Sequence, residues 1–243
     1  MASNLSSFGL AEMLRCGLGI RRSATGAESI EDATTNVCRF LYDELLTDSG
    51  ERACALVRCY KTHLYSKLRP ADREFARLAM AGATPTERMR CLTLLATAGD
   101  EPKWNDRRRS KDHRVIPLAT AEMVSQAPMI SQLFKQFDLD IGVLVQPAGD
   151  IVKDLEGKTY GVFHVAEASG SPYIPAQDDF VERYNIRSVV GCGCALHGEL
   201  YALILFTKVT VTDETADRFR TLALDLKSAL FPYDESLTFS KSG

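Results

Sequence analysis

Two apolar runs, Arg187 to Leu196 (RSVVGCGCAL) and Glu199 to Val209 (ELYALILFTKV), are separated only by His197-Gly198. A dipeptide ending in Gly between two β-prone runs folds the chain back as an antiparallel hairpin through a tight turn. His at the first turn position is unusual, because such turns favour Asn, Asp or Gly there. Whatever precedes this hairpin must supply a sheet with antiparallel neighbours. Directly after it, Thr212 to Glu214 caps a final helix. Ala216, Phe219, Ala223, Leu226 and Leu230 fall on one face of that helix, and Pro232 stops it.

Upstream, hydrophobic periodicity alternates between the two regular structures. Met1 to Ile20 reads as an amphipathic helix, with Leu5, Phe8, Met13 and Leu14 on its apolar side. A second helix starts at Ser29, which with Asp32 forms a capping signal, and runs through Ile30, Ala33, Val37, Phe40, Leu41 and Leu45. Ala53 to Tyr60 and Arg90 to Ala98 read as strands, and Pro70 as the first turn of a helix carrying Phe75, Leu78 and Ala79. Thr120 to Phe137 returns to helical spacing, with Pro128 set to kink or divide it. Ile141 to Val145 and Tyr160 to Val165 read as short strands, and Pro175 to Tyr184 as a short helix. The polar segment Glu101 to Arg114 reads as an exposed loop. The expected fold class is α+β: a central antiparallel β-sheet flanked by helices, with an N-terminal helical extension. The expected boundaries are 1–50 for the extension, 51–233 for the sheet domain and 234–243 for a flexible tail.

Composition narrows the class further. Of 243 residues, 45% are hydrophobic and 25% charged, the balance of a globular chain. A net charge of −3 gives no overall pull toward nucleic acid or an anionic membrane. No apolar run reaches the roughly 20 residues that span a bilayer, and the first 20 residues lack a secretory pattern. The expected location is the cytoplasm. Seven cysteines, an odd number without repeating spacing, fit reduced thiols there. No C-x2-C pair or His cluster has zinc-ligand spacing, so no metal site is expected.

The order of helix, glycine-bearing strand, turn with Gly, very apolar strand and terminal helix resembles the C-terminal end of a GAF domain. The residues carrying that resemblance are Phe180-Val181, Asn185 to Val190, Gly198 to Phe206 and the helix from Asp213. It covers the last 70 or so residues best, in element order and pattern rather than in a rigid signature. The segment from Tyr160 to Asp179 also looks like the input region of some bacterial sensor kinases. The resemblance implies a ligand pocket on one face of the sheet, a dimer-forming helical layer on the other, and a role in signal transduction. It does not name the ligand, so the cofactor is unknown. The family takes cyclic nucleotides, haem, bilins, small organic acids or nothing, because function lies in the site and not the fold.

Several residues carry candidate chemistry, each beside a plainer reading. His164, flanked by Phe163 and Val165, is the best-placed axial ligand for a haem, or else a hydrogen-bonded buried histidine. Cys192 and Cys194 share one strand face with Gly191 and Gly193 on the other. They read as a redox-responsive or ligand-capturing thiol pair, or as two small buried side chains. Some GAF-like proteins reduce free methionine sulfoxide with cysteines, an arrangement this chain does not reproduce convincingly. The run Arg107 to Arg114, with Arg108 and His113 and with Trp104 just before it, reads as a basic lid over an anion or as a solvated loop. Tyr173 in the loop Ser169 to Pro175, together with Tyr160 and Tyr184, lines a pocket or packs on the core. Arg187 opens the penultimate strand beside these. No Ser-His-Asp, Gly-x-Ser-x-Gly, Walker or Rossmann pattern occurs.

The reading is therefore a receiver of signals rather than an enzyme: a sensory domain that binds an unidentified small molecule and relays this through helices. Its expected partners are a second copy of the chain and a partner kinase or regulator, with neither nucleic acid nor membrane. The alternatives are an interaction or dimerisation module without ligand, or a thiol-based redox sensor using Cys192 and Cys194. The chain is either a standalone module or a piece of a longer protein.

Overall fold

The computed structural model describes residues 2–80, 82–111, 113–146, 161–233 and 238–240. Tyr160, Asp112 and most of the stretch 234–243 lie outside them. The chain opens with β1 (Ser3–Asn4), α1 (Leu10–Ala24), α2 (Ile30–Glu44) and β2 (Leu45–Leu46). Then come β3 (Cys54–Leu64), α3 (Pro70–Ala79), β4 (Arg90–Gly99) and β5 (Val115–Leu118). The helices α4 (Ala121–Ser125), α5 (Pro128–Gln136) and α6 (Ile141–Leu144) follow. The chain closes with β6 (Val162–Val165), β7 (Ser188–Leu196), β8 (Glu199–Thr207) and α7 (Asp213–Leu230).

Six strands form one antiparallel sheet in the order β5-β4-β3-β8-β7-β6. The fold is α+β, with helices on both faces of the sheet, as the sequence leads one to expect. The β7–β8 hairpin turns at His197 and Gly198, both with positive φ (53° and 74°). Two left-handed residues in succession match the twist of the flanking strands. His197 carries the steric cost that Gly198 escapes.

The local stop and start signals act as chemistry requires. The Ser29 hydroxyl accepts from the Asp32 amide at 3.0 Å, capping α2, and Thr212 does the same for α7 through the Thr215 amide at 3.2 Å. Pro70 and Pro128 open α3 and α5 at the first turn, where a missing N–H costs nothing. Pro128 therefore divides the helical segment, and α4 and α5 are separate helices.

Three expectations change, the first for the helix read from Met1 to Ile20: it begins only at Leu10 and runs to Ala24, because Ser3–Asn4 pair as a short strand with Leu45–Leu46. Ile141 to Val145 is a helical turn and not a strand, because Asp140 caps it by accepting from the Gly142 amide at 2.7 Å. An apolar run this short does not reveal its period. Within the segment Pro175 to Tyr184 the helix is a π-helical turn, Gln177–Glu182, with Val181 N–H donating to the Ala176 carbonyl.

The sheet separates two cores. On one face α1, α2 and α7 bury Ile20, Val37, Leu41, Phe219 and Leu226 against Val57, Cys59, Cys192, Cys194 and Leu203. On the other, α4, α5, α6 and the π-helical turn cover Leu56, Tyr60, Phe163, Val189, Ala202 and Ile204. Full burial of each Val, Leu, Ile or Phe side chain among these contributes ~1.5–3 kcal/mol. α3 seals a smaller cluster against Cys91 and Val115 near the β4–β5 edge. Of the helices in the first 50 residues, α2 lies on the sheet against β3 and β4, and α1 lies against α2 and α7. At the other end, Thr238 is buried and its carbonyl accepts from the Glu31 amide at 2.8 Å.

On the second face Phe137 lies against Gly193, where an added Cβ would come within 2.4 Å of its ring. Gly193 lets this aromatic approach the sheet backbone. Among the described residues, no helix is long and apolar enough to cross a membrane.

Candidate functional site

Strand alternation puts Leu56, Arg58 and Tyr60 of β3 on the same face, pointing away from α1, α2 and α7. Ile204 and Phe206 of β8 stand beside them. These five side chains form the floor of a cavity of about 480 Å3, within the range of small-molecule sites. Ala127 to Ile130 at the start of α5 form one wall, and Ile174 to Ala176 with Phe180 lie across from them. Trp104, His113 and Ile116 complete the lining. The cavity is largely apolar, with Arg58, Tyr60, His113 and Gln126 as its polar members.

The aromatic wall is held in place from outside the cavity. Trp104 meets Phe180 edge-on at 5.6 Å and Tyr184 at 4.5 Å, and Phe180 meets Phe206 edge-on at 5.0 Å. Edge-to-face pairs of this kind add ~0.5–1.5 kcal/mol each beyond burial. The turn carrying Trp104 is pinned by Asn105, whose carboxamide accepts from the Gly99 amide at 3.1 Å and donates to the Gly99 carbonyl at 3.0 Å. Tyr184 is fixed by donating its hydroxyl proton to Glu101 at 2.8 Å.

At the floor, the Arg58 guanidinium donates from Nη1 to the Tyr60 hydroxyl at 3.3 Å, while its buried Nε has no hydrogen-bond partner. Register sets Thr97 of β4 opposite Arg58, and the Thr97 hydroxyl is likewise buried without a partner.

Of the residues singled out in the sequence, the structure brings Trp104 and His113 to this cavity. Arg108 is exposed and pairs with Asp106 at 3.0 Å. Its neighbour Arg107 is buried instead, donating to Glu31 at 2.7 Å and to Asp72 at 3.3 Å, and Arg114 meets the same Asp72 at 2.6 Å. The basic run is therefore partly a structural clasp. Tyr173 is at the surface, and its neighbour Ile174 turns into the cavity in its place.

His164 faces the helix side, between the Asp213 carboxylate at 3.0 Å and the Val211 carbonyl at 2.9 Å, in the manner of a hydrogen-bonded structural histidine. Arg187 is exposed, and its backbone ties β7 to Thr207 and Ala168.

Cys192 and Cys194 sit under α7, across the sheet from the cavity. Burial raises the Cys194 thiol to about 12 and Cys192 well above its ordinary value. All seven cysteines are buried and none lines the cavity, so thiol chemistry there has no sulfur to use. Among the described residues no cluster of three His, Cys, Asp or Glu could hold a metal ion.

What the sequence did not single out is the floor. Leu56, Arg58, Tyr60, Ile204 and Phe206 read as ordinary strand residues. The available signal was Arg58 itself, a charge set inside the apolar run ALVRCY.

The fold is GAF-like, resting on this sheet, its two helical layers and the closing hairpin and helix. No family model matches the sequence, and no curated protein matches it. Among solved structures, the chain is similar to the reduced form of fRMsr of Staphylococcus aureus. The identity is 11% and the TM-score 0.44, over 90% of this chain and 94% of that one. It is similar to the type II free methionine-R-sulfoxide reductase of Thermoplasma acidophilum at 11% identity and TM-score 0.39, over 87% and 95%. It is also similar to the GAF domain of a phosphoenolpyruvate-protein phosphotransferase of Coxiella burnetii at 14% identity and TM-score 0.42, over 90% and 92%. Likenesses this distant carry no ligand, substrate or activity over to this chain.

The expectation that the chain is not an enzyme is corrected here. Two of these three structures are reductases, so a fold of this outline does not set catalysis aside.

Proposed function

We propose that this chain is a small-molecule-binding domain, with its ligand held between the floor of β3 and β8 and the cover formed by α5 and Ile174 to Phe180. The observation that carries the reading is the cavity itself: apolar, walled by braced aromatic rings, with a few polar groups converging on its floor. A route for relaying occupancy exists in the same strands. Leu56 and Arg58 face the cavity, while Val57 and Cys59, their chain neighbours, pack against α1, α2 and α7. A ligand that binds one packing of the floor better than another shifts the helix layer by that difference in affinity.

Native mass spectrometry of the purified full chain, with a thermal-shift screen of small molecules, tests this. A bound small mass or a stabilising compound is expected, and both should vanish in Ala127→Trp, which fills the cavity from α5. Compounds that bind Ala127→Trp as well as they bind the unaltered chain would place the site elsewhere and defeat the reading.

A further inference from the structure

We infer that the ligand is a monocarboxylate with an apolar, ring-sized body, its carboxylate held on the cavity floor by Arg58. The inference rests on the binding role proposed above and names the chemical class that this cavity selects.

Three observations converge on it. Among the described residues, Arg58 is the only lysine or arginine lining the cavity, and no aspartate or glutamate lines it. Its positive charge therefore meets no counter-charge among the lining residues. Secondly, Nε of Arg58 is buried without a hydrogen-bond partner, and so is the hydroxyl of Thr97, its cross-strand neighbour on β4. Side chains directly opposite each other on a sheet have Cβ atoms ~4.5–5.5 Å apart. Thr97 is not itself among the residues lining the cavity, so Arg58 is the group that meets a ligand directly, with Thr97 beside it on the sheet. Buried donors left unsatisfied in this way are uncommon, and an acceptor offered to the guanidinium relieves that of Arg58. Thirdly, apart from His113 and Gln126 the rest of the lining is apolar or aromatic, with Leu56, Ile204 and Phe206 on the floor and Trp104, Ile130, Ile174 and Phe180 around it.

The shape of the anion follows from the donors. A guanidinium edge is planar and matches the two oxygens of a carboxylate. A doubly charged phosphate would bring a second charge that no further lysine or arginine among the described lining residues offsets, and burying an unpaired charge is costly. The Tyr60 hydroxyl already accepts from Nη1 and so holds the guanidinium plane in place before the ligand arrives. A bare inorganic anion would leave the aromatic wall without contact. The ligand thus needs both ends, a single carboxylate and an apolar body.

Matched probes test this. The full chain would be titrated with 3-phenylpropionate, its amide 3-phenylpropionamide, and inorganic phosphate, by calorimetry and by emission of Trp104, the only tryptophan. The acid should bind roughly tenfold or more tighter than the amide, as a charge-assisted hydrogen bond implies, and phosphate should bind far more weakly. Arg58→Met should erase the preference for acid over amide, and Arg58→Lys should retain part of it. Circular dichroism melts confirm that the variants fold. If Arg58→Met does not fold, the acid-to-amide ratio of the unaltered chain and of Thr97→Val still decides. Equal binding of acid and amide, or phosphate binding as tightly as the acid, overturns the carboxylate assignment and leaves the small-molecule pocket standing. A chain to which neither the acid, the amide nor any compound of the thermal-shift screen binds overturns both.

Discussion

The imidazole of His63 lies stacked on the ring of Phe239, with centroids 5.2 Å apart and planes 14° from parallel. Arg69 and Arg107 also lie over the Phe239 ring, at 4.7 and 5.1 Å, so residues 238–240 close over the end of β3. Burial, above all, and then the positive charges of Lys61, Arg107 and Lys67 hold the His63 pKa well below 6.5. The unfolded chain therefore takes up this proton first as pH falls. The His63 contribution to stability is whole above pH ~6.5 and is lost progressively below it, by up to about 1.4 kcal/mol per pH unit. Urea unfolding at pH 7 and pH 5 should show a lower midpoint at pH 5. His63→Phe should remove this share of the pH dependence, and an unchanged slope in that variant would refute the assignment.

Arg107 is a structural clasp between Glu31 of α2 and Asp72 of α3. Asp72 is fully buried, so removing one of its two cations leaves a charge that Arg114 alone must satisfy. Arg107→Met should destabilise the fold by about 3–5 kcal/mol, the usual cost of breaking a buried pair from one side. Arg108→Met, at the next residue along the chain yet exposed, should cost within about 0.5 kcal/mol. Chemical denaturation of the two variants checks both figures, and similar costs for the two would contradict the clasp.

Gly193→Ala drives a methyl group into the ring of Phe137, which is itself fully buried. The expected cost is about 1–3 kcal/mol, from overpacking rather than from backbone strain. Pairing the change with Phe137→Leu should recover part of that loss. A lack of coupling in this double-mutant cycle would show that the contact does not set the cost.

The seven thiols should be silent in the folded state. Burial raises Cys16, Cys91 and Cys194 to about 12 and pushes Cys38, Cys54, Cys59 and Cys192 well above the ordinary thiol value. Only the thiolate attacks a disulfide reagent. Titration with such a reagent at pH 8 should label few cysteines in the native chain and all seven in denaturant. Rapid native labelling of Cys192 or Cys194 would revive the redox reading that their position under α7 argues against.

Elements marked by local chemistry were legible in the sequence. The hairpin at His197-Gly198, the caps at Ser29 and Thr212, and the prolines opening α3 and dividing α4 from α5 all act within a few residues of where they are read. β5 was missed because it is short, carries Pro117 and pairs on one side only, as an edge strand tolerates. The cavity was less legible for a different reason. Attention falls on loops and charge runs, and these gave Trp104 and His113, while the floor comes from strand residues whose exposure depends on what lies above them. Which of Tyr173 and Ile174 enters the cavity is a matter of loop geometry that no spacing rule contains.

β3 serves two masters in alternate residues. Arg58 belongs to the cavity and Cys59, next along the chain, to the helix layer, and a bulge after Cys59 gives β4 an extra residue at Leu95 without disturbing that division. A slip of one position would bury a guanidinium beneath α2 and swing a thiol into the cavity. The strand's register is thus a safeguard of chemical identity, keeping the Arg58 guanidinium and the Cys59 thiol on opposite sides of the same wall.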